Sequence, residues 1–155
     1  MLSGCFTQVL VHGLDLIISK TSARDTQTPA HQRTGRRGEE DAYFYLRRRG
    51  YVMVARNFRN ARHRGEIDMI GWEKGVLCFI EVKSRTTRDV KPAAAAVDRK
   101  KRHDIRLMIG DYLRSLPERQ FPESPPWRFD VVTVYYDRPK GGPTYELFQN
   151  AALSS

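Results

Sequence analysis

Asp68 and Glu81 are the two carboxylates whose surroundings point to chemistry. They belong to the stretch GEIDMIGWEKGVLCFIEVK, residues 65–83. It reads as two strands. Ile67, Met69 and Ile70 mark the first, Val76 to Val82 marks the second, and Glu73, Lys74 and Gly75 supply the break. Strand side chains alternate between faces, so Asp68 shares a face with Glu66 and Ile70, and Glu81 shares one with Leu77, Phe79 and Lys83. A hairpin looping through Glu73 to Val76 sets Asp68 directly opposite Glu81. A register two residues away leaves them diagonal neighbours on one face, and a register one residue away puts them on opposite faces.

Two carboxylates about 5 Å apart across a sheet repel each other by a few tenths to about 1 kcal/mol. A divalent cation reverses that sign. Mg²⁺ or Mn²⁺ takes carboxylate oxygens, and Mg²⁺ keeps several of its waters. Lys83, on the same face, can stabilise developing negative charge or orient a water. Asp68, twelve intervening residues and then Glu81-Val82-Lys83 form the D…E-x-K arrangement of metal-dependent phosphodiester cleavage. E-x-K alone is common and also fits a cross-charged pair on a solvated hairpin. The context argues otherwise. VLCFIEVK is nearly continuous apolar sequence, as in a strand buried on both faces. Buried charges must be paired or bind metal.

A helix is predicted from Thr34, with Thr34 or Gly35 as its cap and Gly50 after its last turn. Glu39, Ala42, Tyr43 and Leu46 fall on one face of it. Glu39 is then either a further site carboxylate or an acid favoured by the helix dipole; spacing does not separate the two. Tyr51 to Asn57 reads as a strand, followed by a basic loop from Arg59 to Arg64. After the hairpin comes a loop from Ser84 to Val97. Asp98 then caps a second helix running to about Leu116, with an apolar stripe of Ile105, Met108, Ile109, Tyr112, Leu113 and Leu116. Arg99, Lys100, Lys101, Arg102 and Arg106 crowd its first half, where the helix dipole prefers anions; phosphate contacts would compensate. Phe129 to Tyr136 reads as a strand and Tyr145 to Phe148 as an edge strand. The order αβββαββ implies an α/β fold, a mixed sheet with helices packed against it.

The 155 residues suit one domain. Residues 1–33 read as an appendage and polar linker, with a helix at Phe6 to Ile18 as an option, residues 34–150 as the folded domain and 151–155 as a tail. Lys and Arg number 27 against 18 Asp and Glu, a formal +9, which points to a polyanionic partner, nucleic acid first. The apolar N-terminal run is too short and interrupted to span a membrane, so no membrane partner is expected. Cys5 and Cys78 do not form a disulfide framework, which suits a reduced, cytoplasmic setting. The four histidines lack zinc spacing.

GRRGEEDAYFYLRRRGYVMVARNFRN, GEIDMIG, CFIEVKSR and FDVV, in this order and spacing, resemble the bacterial YraN family over about Thr34 to Tyr136. That family is grouped with the restriction-endonuclease-like PD-(D/E)xK nucleases, which include archaeal Holliday-junction resolvases. The resemblance implies a mixed sheet flanked by helices. It also implies that Glu39 matches the first-helix acid, Asp68 the metal ligand of the second motif, and Glu81 and Lys83 the E-x-K motif. Glu66 and Asp130 match typical positions without an assigned role; Asp130 is either a supporting group or a polar strand start. Resolvases of the group work as dimers, so a homodimer is implied too. The acidic pair usual before the second helix is replaced here by Ala93 to Ala96, and the N-terminal extension has no counterpart in the resemblance.

The resulting expectation is a Mg²⁺- or Mn²⁺-dependent endonuclease acting on branched or otherwise structured DNA. Asp68, Glu81 and Glu39 would hold the metal, with Lys83 assisting. Arg36, Arg37, Arg59, Arg62, Arg64, Arg85, Arg99 and Lys100 would contact DNA. The alternative is a non-catalytic nucleic-acid-binding protein on the same fold.

Overall fold

The computed structural model describes residues 30–88, 99–138 and 141–153. The elements are α1 (Ala30–Arg48), β1 (Val52–Phe58), β2 (Ile67–Glu73), β3 (Val76–Arg85), α2 (Arg99–Ser115), β4 (Trp127–Tyr135) and β5 (Thr144–Phe148). This is the expected αβββαββ order in a mixed α/β fold. The strands lie side by side in chain order. β3 and β4 run parallel and the other neighbours antiparallel. A parallel pair cannot be closed by a tight turn, and α2 lies in the crossover that joins it. β5 is an edge strand, as its sequence suggests.

The β2–β3 hairpin turns through Lys74 (φ 49°) and Gly75 (φ 80°). Positive φ at both positions of a two-residue loop matches the right-handed twist of the flanking strands. The register follows from that turn: Glu73 pairs with Val76 and Met69 with Ile80. Continued by one step, it sets Asp68 opposite Glu81.

Alternation sends apolar side chains to both faces of the sheet. Leu77, Phe79, Phe129 and Val131 pack with Ile105, Met108 and Ile109 of α2. Cys78, Ile80, Val132 and Val134 pack with Ala42 and Leu46 of α1 on the other face. Cover on both sides explains the unbroken apolar run of β3. Cys78 is a free, buried thiol whose burial pushes its pKa up to about 12, so it is inert filling. No helix among the described residues is long and apolar enough to cross a membrane.

Strand ends differ from the sequence reading by one to three residues, and one helix boundary differs by a full turn. α1 begins at Ala30, four residues ahead of the expected start at Thr34, so neither Thr34 nor Gly35 caps it. The apolar stripe starts only near Ala42, and periodicity cannot report helix turns lying ahead of the core. The earlier start puts Glu39 in the third turn, while the macrodipole acts within the first, so the dipole account of Glu39 does not apply. The expected helix at Phe6 to Ile18, the alanines 93–96 and the cap Asp98 lie outside the described residues.

Gly38 lets α1 approach β3 beside the site, since a Cβ there would collide with the Ser84 hydroxyl and lie 3.1 Å from the Ser84 Cβ. Gly38→Ala is expected to lower stability by roughly 1 kcal/mol, because overpacking outweighs the gain in helix propensity. Adding Ser84→Gly should restore it, as read from urea unfolding of the single and double variants.

Candidate active site

α1, the open end of the β2–β3 ladder and the first turn of α2 meet around a cavity of about 430 Å³. Glu39 of α1, Asp68 of β2, Glu81 and Lys83 of β3, and Lys101 of α2 line it. Asp68 is 7% and Glu81 2% exposed, so both carboxylates are sunk below the mouth.

Asp68 Oδ2 accepts the Val82 N–H at 2.6 Å. Burial and the neighbouring Glu81 charge push the Asp68 carboxyl up to about 7. Glu81 Oε1 accepts from Lys83 Nζ at 2.7 Å and from Lys101 Nζ at 2.5 Å. Burial, the largest single influence, works against the Lys101 ammonium, yet Glu81 and Asp68 with its other neighbours outweigh it and the net direction of its pKa is upward. Glu81 Oε2 is buried with no hydrogen-bond partner among the described residues. Leaving a buried charged oxygen unmatched is costly.

The donors fit a hard divalent ion: two facing carboxylates, one with an oxygen unmatched. Mg²⁺ needs few protein ligands because it keeps several waters. Among the described residues no three His, Cys, Asp or Glu side chains stand together as a ready-made metal cluster. Glu39 lines the cavity, but its Oε2 accepts from Asn57 Nδ2 at 3.1 Å.

Glu39, Asp68, Glu81 and Lys83 thus share one cavity. The eight basic residues do not share one surface so simply. Arg59, Arg64 and Lys100 line a second groove. Arg37 lies 3.7 Å from Asp41 and 4.8 Å over the Tyr136 ring, and Arg62 faces Asp111 at 3.9 Å. Arg36 is exposed on α1, Arg99 is exposed at the start of α2, and Arg85 ends β3 half-buried. Lys101 was missed as a site residue. The cationic run that contains it was visible, but a run of five cannot show which member turns toward the sheet. Thr133 does not line the cavity but lies beside it in the sheet. It is fully buried opposite Lys83 in the β3–β4 register, with its hydroxyl unpartnered among the described residues.

Asp130 is a structural hub away from this cavity. Its Oδ1 accepts from Arg128 Nε at 2.9 Å and the Asn150 N–H at 3.0 Å, and its Oδ2 from the Tyr51 hydroxyl at 3.0 Å. Arg128 also reaches Glu73 at 3.2 Å. Glu66 pairs with Arg59 at 2.7 Å and lines the second groove.

Residues 38–134 match the family described as Uncharacterised protein family UPF0102. That span holds every cavity residue named above. The chain belongs to UPF0102. A UPF0102 protein of Koribacter versatilis (strain Ellin345) is 52% identical over 150 residues, covering 97% of this chain and 96% of its own. One from Solibacter usitatus (strain Ellin6076) is 43% identical over 100 residues, 64% of this chain and 73% of its own. One from Chlorobaculum tepidum is 41% identical over 108 residues, 68% of this chain and 77% of its own. UPF0102 membership agrees with the YraN resemblance of the motifs. The Koribacter alignment must run through most of residues 1–33, so the N-terminal extension does have a counterpart.

Proposed function

We propose that this UPF0102 protein is a Mg²⁺- or Mn²⁺-dependent endonuclease of the restriction-endonuclease-like kind, acting on branched or otherwise structured DNA in the cytoplasm. The observation that carries the reading is the buried, unmatched Oε2 of Glu81, on a carboxylate paired with Lys83 and facing Asp68. Asp68 and Glu81 would hold the metal, with Glu39 as a third carboxylate on the cavity wall. When bound, the metal supplies charge neutralisation and an acidified water. Lys83 keeps its ammonium at the carboxylate pair, where it stabilises negative charge developing on a phosphate. Lys101 flanks Glu81 from α2. The formal +9 of the chain suits a polyanionic substrate, and a branched substrate and a homodimer are proposed from the motif resemblance alone.

A DNA-binding protein without cleavage is the second reading. It is favoured by the two lysines that already satisfy Glu81 Oε1 and by the bond between Glu39 and Asn57. Incubation with linear, nicked, flapped and four-way DNA in Mn²⁺ separates the two. Cleavage by the wild type is expected, with none by Glu81→Gln. Lys83→Ala should keep a Mn²⁺-induced rise in melting temperature while cleavage falls about 10²–10³-fold. Salt-sensitive binding with no cleavage of any substrate would favour the second reading.

A further inference from the structure

A second groove of about 450 Å³ lies between the 59–66 segment and α2. Lys101 lines both it and the carboxylate cavity, so the two are contiguous. Its cations are Arg59, Arg64, Lys100 and Lys101, and its acids are Glu66 and Asp104. Glu66 is spent on Arg59, whose Nε and Nη2 lie 2.9 and 2.7 Å from its Oε2. Lys101 is spent on Glu81. Arg64 and Lys100 are exposed, and neither is within ion-pair distance of an acid among the described residues, while Asp104 leaves the groove one net positive charge after the pairs are counted.

The loop that carries Arg64 is fastened. Asn60 Nδ2 donates to Asp111 Oδ2 of α2 at 2.5 Å, while Asn60 Oδ1 accepts the N–H groups of Arg62 at 2.6 Å and His63 at 3.3 Å. His63 Nε2 lies 3.1 Å from the same Asp111. Gly65, at φ 101°, then turns the chain toward β2. These bonds hold the loop against α2 without neutralising Arg64. Across the groove, Lys100 and Lys101 occupy the first turn of α2, which contains no acid. Cations are unfavourable at a helix start, and a phosphate between them and Arg64 reverses that penalty.

We propose that this groove is a backbone channel holding the phosphates of the nucleic-acid strand that leads away from the carboxylate site. Arg64 and Lys100 are its contacts that hold no ion pair, and Lys101 is the cation shared with the site. The proposal rests on the DNA reading above and names the surface that serves it. A concave groove continuous with a buried site suits a strand, whereas a lipid surface needs a flat face with apolar anchors.

The test is fluorescence anisotropy of a labelled single-stranded oligonucleotide, in EDTA, across a range of salt concentrations. Arg64→Ala/Lys100→Ala is expected to weaken binding about tenfold or more at low salt and to reduce the log–log salt slope by about 1.4, roughly 0.7 per lost phosphate contact. Arg64→Lys/Lys100→Arg should keep the slope. Arg119→Ala/Arg138→Ala removes the same charge from exposed positions elsewhere and should keep it as well. If the alanine pair at 64 and 100 binds like the wild type, the channel is wrong and the DNA reading stands. An equal loss in the Arg119 and Arg138 control would show an effect of net charge alone and overturn the channel. A wild type that binds no DNA, or binds only anionic phosphatidylglycerol vesicles, overturns both the channel and the reading beneath it.

Discussion

Asp130→Ala is expected to destabilise the protein by about 3–5 kcal/mol, the cost of breaking a buried ion pair from one side, while leaving the carboxylate site in place. Asp130 is 0% exposed. Its loss takes the nearest carboxylate from the Arg128 guanidinium and removes the acceptor for the Asn150 N–H and the Tyr51 hydroxyl. Glu73 still holds Arg128 at 3.2 Å, which favours the lower end of that range. For a chain of this size each kcal/mol moves the melting temperature by about 2–4 °C, so a fall of roughly 6–20 °C is expected. On the proposed nuclease reading, protein kept well below that transition should retain the cleavage expected of the wild type. Lost cleavage with an unchanged melting temperature would instead place Asp130 in the chemistry.

Asp130 also shows where the sequence stopped being legible. FDVV is a visible strand motif, but which face its carboxylate takes depends on pairing with β3, and only Arg128 of its partners is a sequence neighbour, while Tyr51 and Asn150 are distant. The hairpin was easier, because Lys74-Gly75 fixes the turn and the turn fixes the register. That local device is why the pairing of Asp68 with Glu81 could be anticipated. Lys101 could not, since the distance from α2 to Glu81 is a tertiary quantity. The start of α1 escaped for a different reason. Residues 30–33 make a helical turn ahead of the buried stripe, so no periodic burial marks them in the sequence.

The largest functional effect is expected at Asp68. Unfolded, this carboxyl titrates near the ordinary value of about 3.9; folded, burial and Glu81 push it up to about 7. Between those values the unfolded chain has released its proton and the folded chain has not. Stability therefore declines as pH rises through that window and stays low above it. Asp68→Asn removes the titration while keeping an oxygen to accept the Val82 N–H. Without metal, the variant should be more stable than the wild type by about 1–3 kcal/mol near pH 8, with the difference vanishing near pH 4. Added Mn²⁺ should reverse the order. At a free concentration of about a hundred times the dissociation constant, the wild type gains about 2.7 kcal/mol by mass action. The variant should gain almost nothing and should cleave no DNA. Thermal unfolding of both proteins, with and without Mn²⁺ at the two pH values, reads all of these effects. If millimolar Mn²⁺ leaves the wild-type melting temperature unmoved, with and without DNA, the carboxylate pair is not a metal site and the binding reading replaces the nuclease.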